Sequence, residues 1–247
     1  MTALYELKLK PDEGFMLAQI DGRLSIADLI SLSTSDRVRT LEITLVYCTL
    51  CGTVIPYDSR VGGVTRTFGT SGLLYLSNKL MFDAETNSLW SSLEGAPVVG
   101  PLVGRGLHLT ILPVVTTTWG EWRRAHPETT ALSLDTGYSR DYSEGAAYRE
   151  YFATDRLMFE VSRRDGRLRN KDEILAIRLA GKTPLAVAVK RLRKGGEFVV
   201  EHEGVSVSIA TTRGGASEVR VDGKRVPAHR AFWFGWQAQF PGSRLVR

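Results

Sequence analysis

The chain has 247 residues, 43% of them hydrophobic, with 32 basic and 27 acidic side chains and a net charge of +5. That make-up belongs to one large globular domain or two small ones with ample core material, and it excludes an intrinsically disordered chain. So small a basic surplus merely keeps a protein soluble, so no nucleic-acid partner is expected, and no apolar run approaches the ~20 residues that a membrane span requires.

Met1 to Lys10 lacks the basic segment and apolar core of a signal peptide. The chain as given is therefore expected in the cytoplasm, and an exported or membrane-anchored location applies if it is a trimmed piece. Leu41 to Tyr47 is β-branched and aromatic with partial alternation, which predicts a strand. It runs into Cys48-Thr49-Leu50-Cys51-Gly52, which holds both cysteines of the chain. Gly52 to Tyr57 is a second extended run, in which Pro56 and the β-branched residues argue against a helix starting at Cys51. The motif therefore reads as strand, knuckle, strand, unlike a thioredoxin-type pair, whose thiols sit at a helix N-terminus. Gly52 suits a tight turn that needs positive φ.

Two thiols at this spacing can chelate a thiophilic metal or close a disulfide. A closed zinc site takes four ligands, and the candidates beyond Cys48 and Cys51 are Met81 and His126, with His108, His202, His229, Asp58 and Asp83 as further donors, none at a partner spacing. Copper(I) is satisfied by two thiolates, a reversible disulfide needs no further ligand, and cysteines also pack as small apolar residues. Glycine after Cys51, where a c-type haem site has histidine, argues against covalent haem. The leading expectation is a thiolate metal-binding protein carrying zinc or copper(I). The alternatives are a thiol–disulfide redox enzyme, with Cys48 and Cys51 as catalytic residues and Cys48 attacking, and a non-catalytic scaffold that binds a partner or glycan through its aromatic surface.

Further along, Ser71 in Gly69-Thr70-Ser71-Gly72 reads as a turn serine, because the nucleophile-elbow spacing is missing. Asn78 to Asp83 is strand-like, with Met81 a core methionine in the simplest reading. Trp119 to Ala125 is the clearest helix: Thr118 and Glu121 have capping-box spacing, and Pro127 stops it after His126. A second helix is expected within Gly145 to Phe152, and Tyr138, Tyr142, Tyr148 and Tyr151 are expected to pack against the sheet. Lys190 to Lys194 reads as a solvated turn, and Phe232 to Trp236 as a buried final strand. Gly and Asp-Gly turn signals every eight to twenty residues or so punctuate the chain and favour an antiparallel architecture. The fold class is thus α+β, mostly antiparallel β, in one compact domain. Ile43 to Gly52 also aligns without a gap on Val205 to Gly214, which raises the expectation of pseudo-repeat halves 15–115 and 170–247 around a middle segment 116–169.

Six stretches carry a family resemblance: Tyr47 to Gly52, Phe68 to Tyr75, Asn78 with Met81 to Asp83, Ser88 to Trp90, Thr118 to Trp122 with His126-Pro127, and Ala231 to Trp236. Together they resemble the prokaryotic domain-of-unknown-function family 3179, from about Asp21 to the C-terminus. The resemblance implies no activity, since the family is named for lacking one, and it implies that many members are exported. It also implies a Trp-His-Glu segment and an Asn-Asp turn ahead of the cysteines. Here that interval, Leu24 to Leu41, is shorter and has no histidine. If that histidine is a ligand or an acid–base partner in the family, this chain lacks it.

Overall fold

The computed structural model describes residues 43–131, 133–135, 137–143 and 145–247. The Leu24–Leu41 interval and the first part of the proposed repeat lie outside the described residues. In the amino-terminal half, β1 (Ile43–Cys48) and β2 (Thr53–Asp58) form a hairpin in which Tyr47 faces Val54 and Cys48 faces Thr53. A small hairpin of β3 (Arg60–Val61) and β4 (Val64–Thr65) follows. Next comes an antiparallel meander of β5 (Phe68–Tyr75), β6 (Asn78–Asp83), β7 (Leu89–Ser91) and β8 (Pro97–Val99). β9 (Thr110–Ile111) then returns to pair with β2.

Inward side chains of these strands make one core of Val46, Ile55, Tyr57, Met81, Trp90 and Leu93. Beside it, the carboxylate of Asp83 is fully buried and saturated: it accepts from Trp90 Nε1 at 2.8 Å, Thr86 N at 2.7 Å and Arg66 Nη1 at 3.3 Å. Burial alone would raise its pKa, but the bonds from Trp90 and Thr86 and the Arg66 charge outweigh it and hold the carboxyl below the ordinary range. Asp83 is therefore a structural anchor, engaged on both oxygens. Ser71, expected in a turn, lies instead in the irregular stretch of strand β5, where its hydroxyl donates to Leu80 O.

The middle segment carries α1 (Trp119–Ala125) and α2 (Arg149–Ala153). Thr118 caps α1 as expected, accepting from Glu121 N, but the reciprocal arm is redirected: the Glu121 carboxylate accepts from the hydroxyls of Thr117 and Thr212. α2 begins four residues later than the start of the predicted window. Of the four tyrosines expected to pack inside, Tyr151 alone is buried, while Tyr138, Tyr142 and Tyr148 are exposed. The aromatic count of this segment misled, because few apolar partners accompany it in sequence.

In the carboxy-terminal half, β10 (Glu173–Ile177) pairs with β11 (Leu185–Ala188), and the single-turn α3 (Val189–Leu192) follows. A meander of β12 (Gly196–His202), β13 (Val205–Thr211), β14 (Ser217–Val221) and β15 (Lys224–Val226) comes next. β16 (Ala228–Phe232), the helix α4 (Trp233–Gln239) and β17 (Arg244–Val246) complete the order β16-β10-β11-β17. Alternation sorts β10 and β11 onto two faces. Leu175, Ile177, Leu185 and Val187 pack on Val200, Val207, Ile209 and Val219 of the meander. Ala176, Ala186 and Ala188, with Ala231, face the other way and leave room for Trp233 and Trp236.

Two expectations are corrected in this half. The run Phe232 to Trp236 is not a final strand: the strand ends at Phe232 and the rest is a helix with every residue from Trp233 to Gln239 buried. A helix buried all round carries no apolar stripe, so periodicity could not reveal it. Lys190 to Lys194, read as a turn, starts in α3, where Val189 and Leu192 are buried and the cations between them are exposed. The stretches aligned as repeats occupy different places: β1 is a sheet edge and β13 an interior strand, and Gly52 has φ 64° whereas the positive φ after β13 falls on Gly215.

Candidate functional site: the cysteine knuckle and its cleft

β1 delivers Cys48 to the rim of its hairpin, and Thr49–Cys51 makes one 3-10 turn before β2 begins. Gly52 closes the turn in the left-handed region, its N–H donating to Thr49 O at 3.3 Å. A Cβ at Gly52 would lie 2.9 Å from ring carbons of Phe232, so glycine is required both for its φ and for the close approach of the ring. The strand-knuckle-strand reading is met, and no helix starts at Cys51.

Cys48 and Cys51 are joined by a disulfide, with Cα atoms 5.3 Å apart. Around it lie Phe232 and Phe234 from the β16–α4 junction, with Leu50, Leu157, Phe159 and Val161. The two sulfurs are not equivalent. Cys51 is 1% exposed and its Sγ lies 3.8 Å from the carbonyl oxygen of Ser77, whereas Cys48 retains 9% exposure. Ser77 is placed there by the β5–β6 hairpin turn, in which both Leu76 and Ser77 take positive φ. The ammonium of Lys79 reaches back to Tyr47 O, one peptide from Cys48, at 3.3 Å, and burial holds its pKa below the ordinary lysine value.

The middle segment clamps the knuckle from outside. Tyr151 donates its hydroxyl to Leu50 O, between the two cysteines, at 2.9 Å. Lys171 sits with Nζ 3.5 Å from the centre of the Tyr151 ring and donates to the carbonyls of Thr154 and Arg156. Burial, with the nearby charge of Asp155, pushes the Tyr151 phenol up to about 12, so it remains a neutral donor at neutral pH. Tyr151 and Leu157 also line a cleft of about 780 Å³, together with Tyr148, Arg149, Arg156 and Met158. The knuckle thus shares two walls with an open cavity.

None of the other expected ligands joins the cysteine cluster. Met81 is buried in the amino-terminal core opposite Trp90, and the ring of His126, at the end of α1, stacks on Trp122 at 4.0 Å. Asp58 pairs with Arg60, and His202 bonds Thr183 O. Among the described residues no group of three or more His, Cys, Asp or Glu side chains converges, so the donors present do not complete a closed zinc set around Cys48 and Cys51. Sequence reasoning missed Ser77, Lys79, Tyr151 and Lys171. Lys171 and Tyr151 lie about a hundred or more residues from the motif, and no local pattern announces them.

Residues 34–225 match the sequence model of a family described as "Protein of unknown function (DUF3179)". The chain belongs to the DUF3179 family. The curated proteins and the solved structures gave no match. The DUF3179 match includes the whole knuckle and its clamp. The aromatic wall of Phe232 and Phe234 lies beyond it, within the longer resemblance expected from the sequence.

Proposed function

We propose that this DUF3179 protein is a thiol–disulfide exchange protein whose working group is the Cys48–Cys51 pair. The observation that supports it is the asymmetry of the pair near a cleft: Cys48 is buried but keeps 9% of its residue surface, and Cys51, at 1%, is sealed in an aromatic cup against the Ser77 carbonyl. A thiolate of an external dithiol attacks Cys48 Sγ, the Cys48–Cys51 bond breaks, and Cys51 leaves and takes a proton. The second thiolate of the partner then attacks the mixed disulfide, releasing Cys48 as thiolate. Two electrons and one proton pass to the protein, the second proton of the dithiol goes to solvent, and the partner leaves as a disulfide.

The surroundings suit those steps. In the reduced state the Cys51 S–H finds the Ser77 carbonyl as acceptor, which favours its thiol form, while the Lys79 ammonium one peptide from Cys48 favours a thiolate there. Cys48 is then the nucleophile and Cys51 the resolving group. The test is the midpoint potential of the pair in glutathione or dithiothreitol buffers, read by alkylation. A value between roughly −120 and −270 mV supports exchange, and one below about −320 mV reduces the pair to an inert clip. Metal analysis of the reduced protein against Cys48→Ser/Cys51→Ser is the parallel measurement. Stoichiometric zinc or copper(I) that the double variant lacks would replace this reading with a thiolate metal site.

A further inference from the structure

A second cleft, of about 550 Å³, opens where Glu94 and β9 face the loop Arg178 to Pro184 and the start of β16. Its titratable groups are Glu94, His108, Arg178, Lys182 and His229. The Arg178 guanidinium is held in place: Nη1 donates to Leu93 O at 2.9 Å and to Glu94 O at 3.2 Å, and the group lies 5.2 Å from the centre of the Phe240 ring. Its Nε and Nη2 have no hydrogen-bond partner among the described residues. Lys182 donates to a neutral acceptor, Glu203 O, at 2.8 Å. Neither cation is in an ion pair among the described residues. The wall therefore holds two cations against the one carboxylate that lines it, Glu94, while the Glu203 carboxylate lies near enough to Lys182 to feel its charge.

His229 is 3% exposed and bonds Arg230 O through Nδ1 at 3.1 Å. With the proton on Nδ1, Nε2 keeps its lone pair, and that buried nitrogen has no partner among the described residues. Burial, aided by the Arg178 charge and opposed by the Arg230 carbonyl, takes the imidazole down to about 4, so it is neutral at physiological pH. A buried acceptor left without a donor is costly, and native structures rarely leave one unmatched.

We infer that this cleft binds a small hydroxylated monocarboxylate. The carboxylate meets the free Nε and Nη2 of Arg178, whose fork geometry suits two parallel bonds, with Lys182 beside it. A ligand hydroxyl donates to His229 Nε2. Glu94 repels a second negative charge and so selects a monoanion over a dianion. Nothing here depends on the thiol chemistry.

The test is calorimetric titration of the full chain with gluconate, glucose and inorganic phosphate. Gluconate is expected to bind, glucose and phosphate at least tenfold more weakly. Lys182→Met loses a single carbonyl contact and should weaken gluconate at least tenfold with an unchanged melting curve. Arg178→Met should weaken it further. In long-range proton–nitrogen NMR, the His229 Nε2 resonance should move on adding gluconate and stay put with glucose. Glucose or phosphate binding as tightly as gluconate, Lys182→Met binding as wild type does, or an unmoved Nε2 at gluconate saturation would overturn the assignment. Cys48→Ser/Cys51→Ser should bind gluconate as wild type does, so this result stands or falls apart from the thiol reading.

Discussion

Replacing Gly52 by alanine puts two separate demands on the knuckle at once. The first is backbone: at φ 64° an alanine sits in the left-handed region, which costs about 1–2 kcal/mol for a residue with a Cβ. The second is packing. The new carbon would lie 2.9 Å from Phe232 Cδ1 and Cε1, inside any normal contact, and forcing an extra methyl into a packed site costs about 1–3 kcal/mol. The expected loss is therefore about 2–5 kcal/mol, read as a shift of the urea midpoint with the slope unchanged. Gly63 supplies the control, because its φ is 77° and a Cβ there would meet nothing within 4 Å, so Gly63→Ala should show the backbone cost alone. Phe232→Leu supplies the relief. In the double variant with Gly52→Ala the losses should fall short of their sum by about 1 kcal/mol or more, as they do for residues in contact. Equal costs at Gly52 and Gly63, or strict additivity with Phe232→Leu, would refute the close approach of ring and turn.

Two further outcomes follow from the cores. Asp83→Asn removes the charge that faces the buried Arg66 guanidinium and should cost about 3–5 kcal/mol at neutral pH. Because the Asp83 carboxyl is held below the ordinary range, its contribution is present at neutral pH and is lost as pH falls through the folded-state pKa; the gap between wild type and Asp83→Asn should narrow on acidification, and a pH-independent gap in urea titrations would contradict it. Ala186→Leu pushes a larger side chain into the face that seats Trp233 and Trp236, and should cost about 1–3 kcal/mol with a changed near-ultraviolet dichroism of the tryptophans; an unchanged spectrum and midpoint would mean the alanine face is not tightly filled.

Much of the architecture was legible because its signals are local. The alternation before Cys48, Pro56 after it and the glycine between them specify a strand, a turn and a strand, and Thr118 with Pro127 brackets a helix. What was illegible depends on burial from outside the segment. Trp233 to Gln239 is helical because three alanines on the distant strands β10 and β11, with Ala231 on the adjoining β16, make a trough for it, and nothing within that run says so. The candidate site divides the same way. Its cysteines were plain, while the asymmetry between them comes from Ser77 on a hairpin, Tyr151 on a remote helix and Phe232 near the carboxy terminus. The expected ligands Met81 and His126 have local company of their own, a core and a stacked indole.

The order β16-β10-β11-β17 has a consequence for how the chain is made. β10 is complete at Ile177, yet its partner β16 starts at Ala228, so at ~5–20 residues per second the ribosome needs roughly 3–10 s to deliver the missing neighbour. Throughout that interval a strand of four buried apolar residues has an open edge and no tryptophan lid, the kind of surface that chaperones hold and that otherwise pairs between nascent chains. Yield of soluble protein during synthesis should therefore depend on translation speed across residues 178–227, a dependence set by topology and independent of how stable the finished protein is.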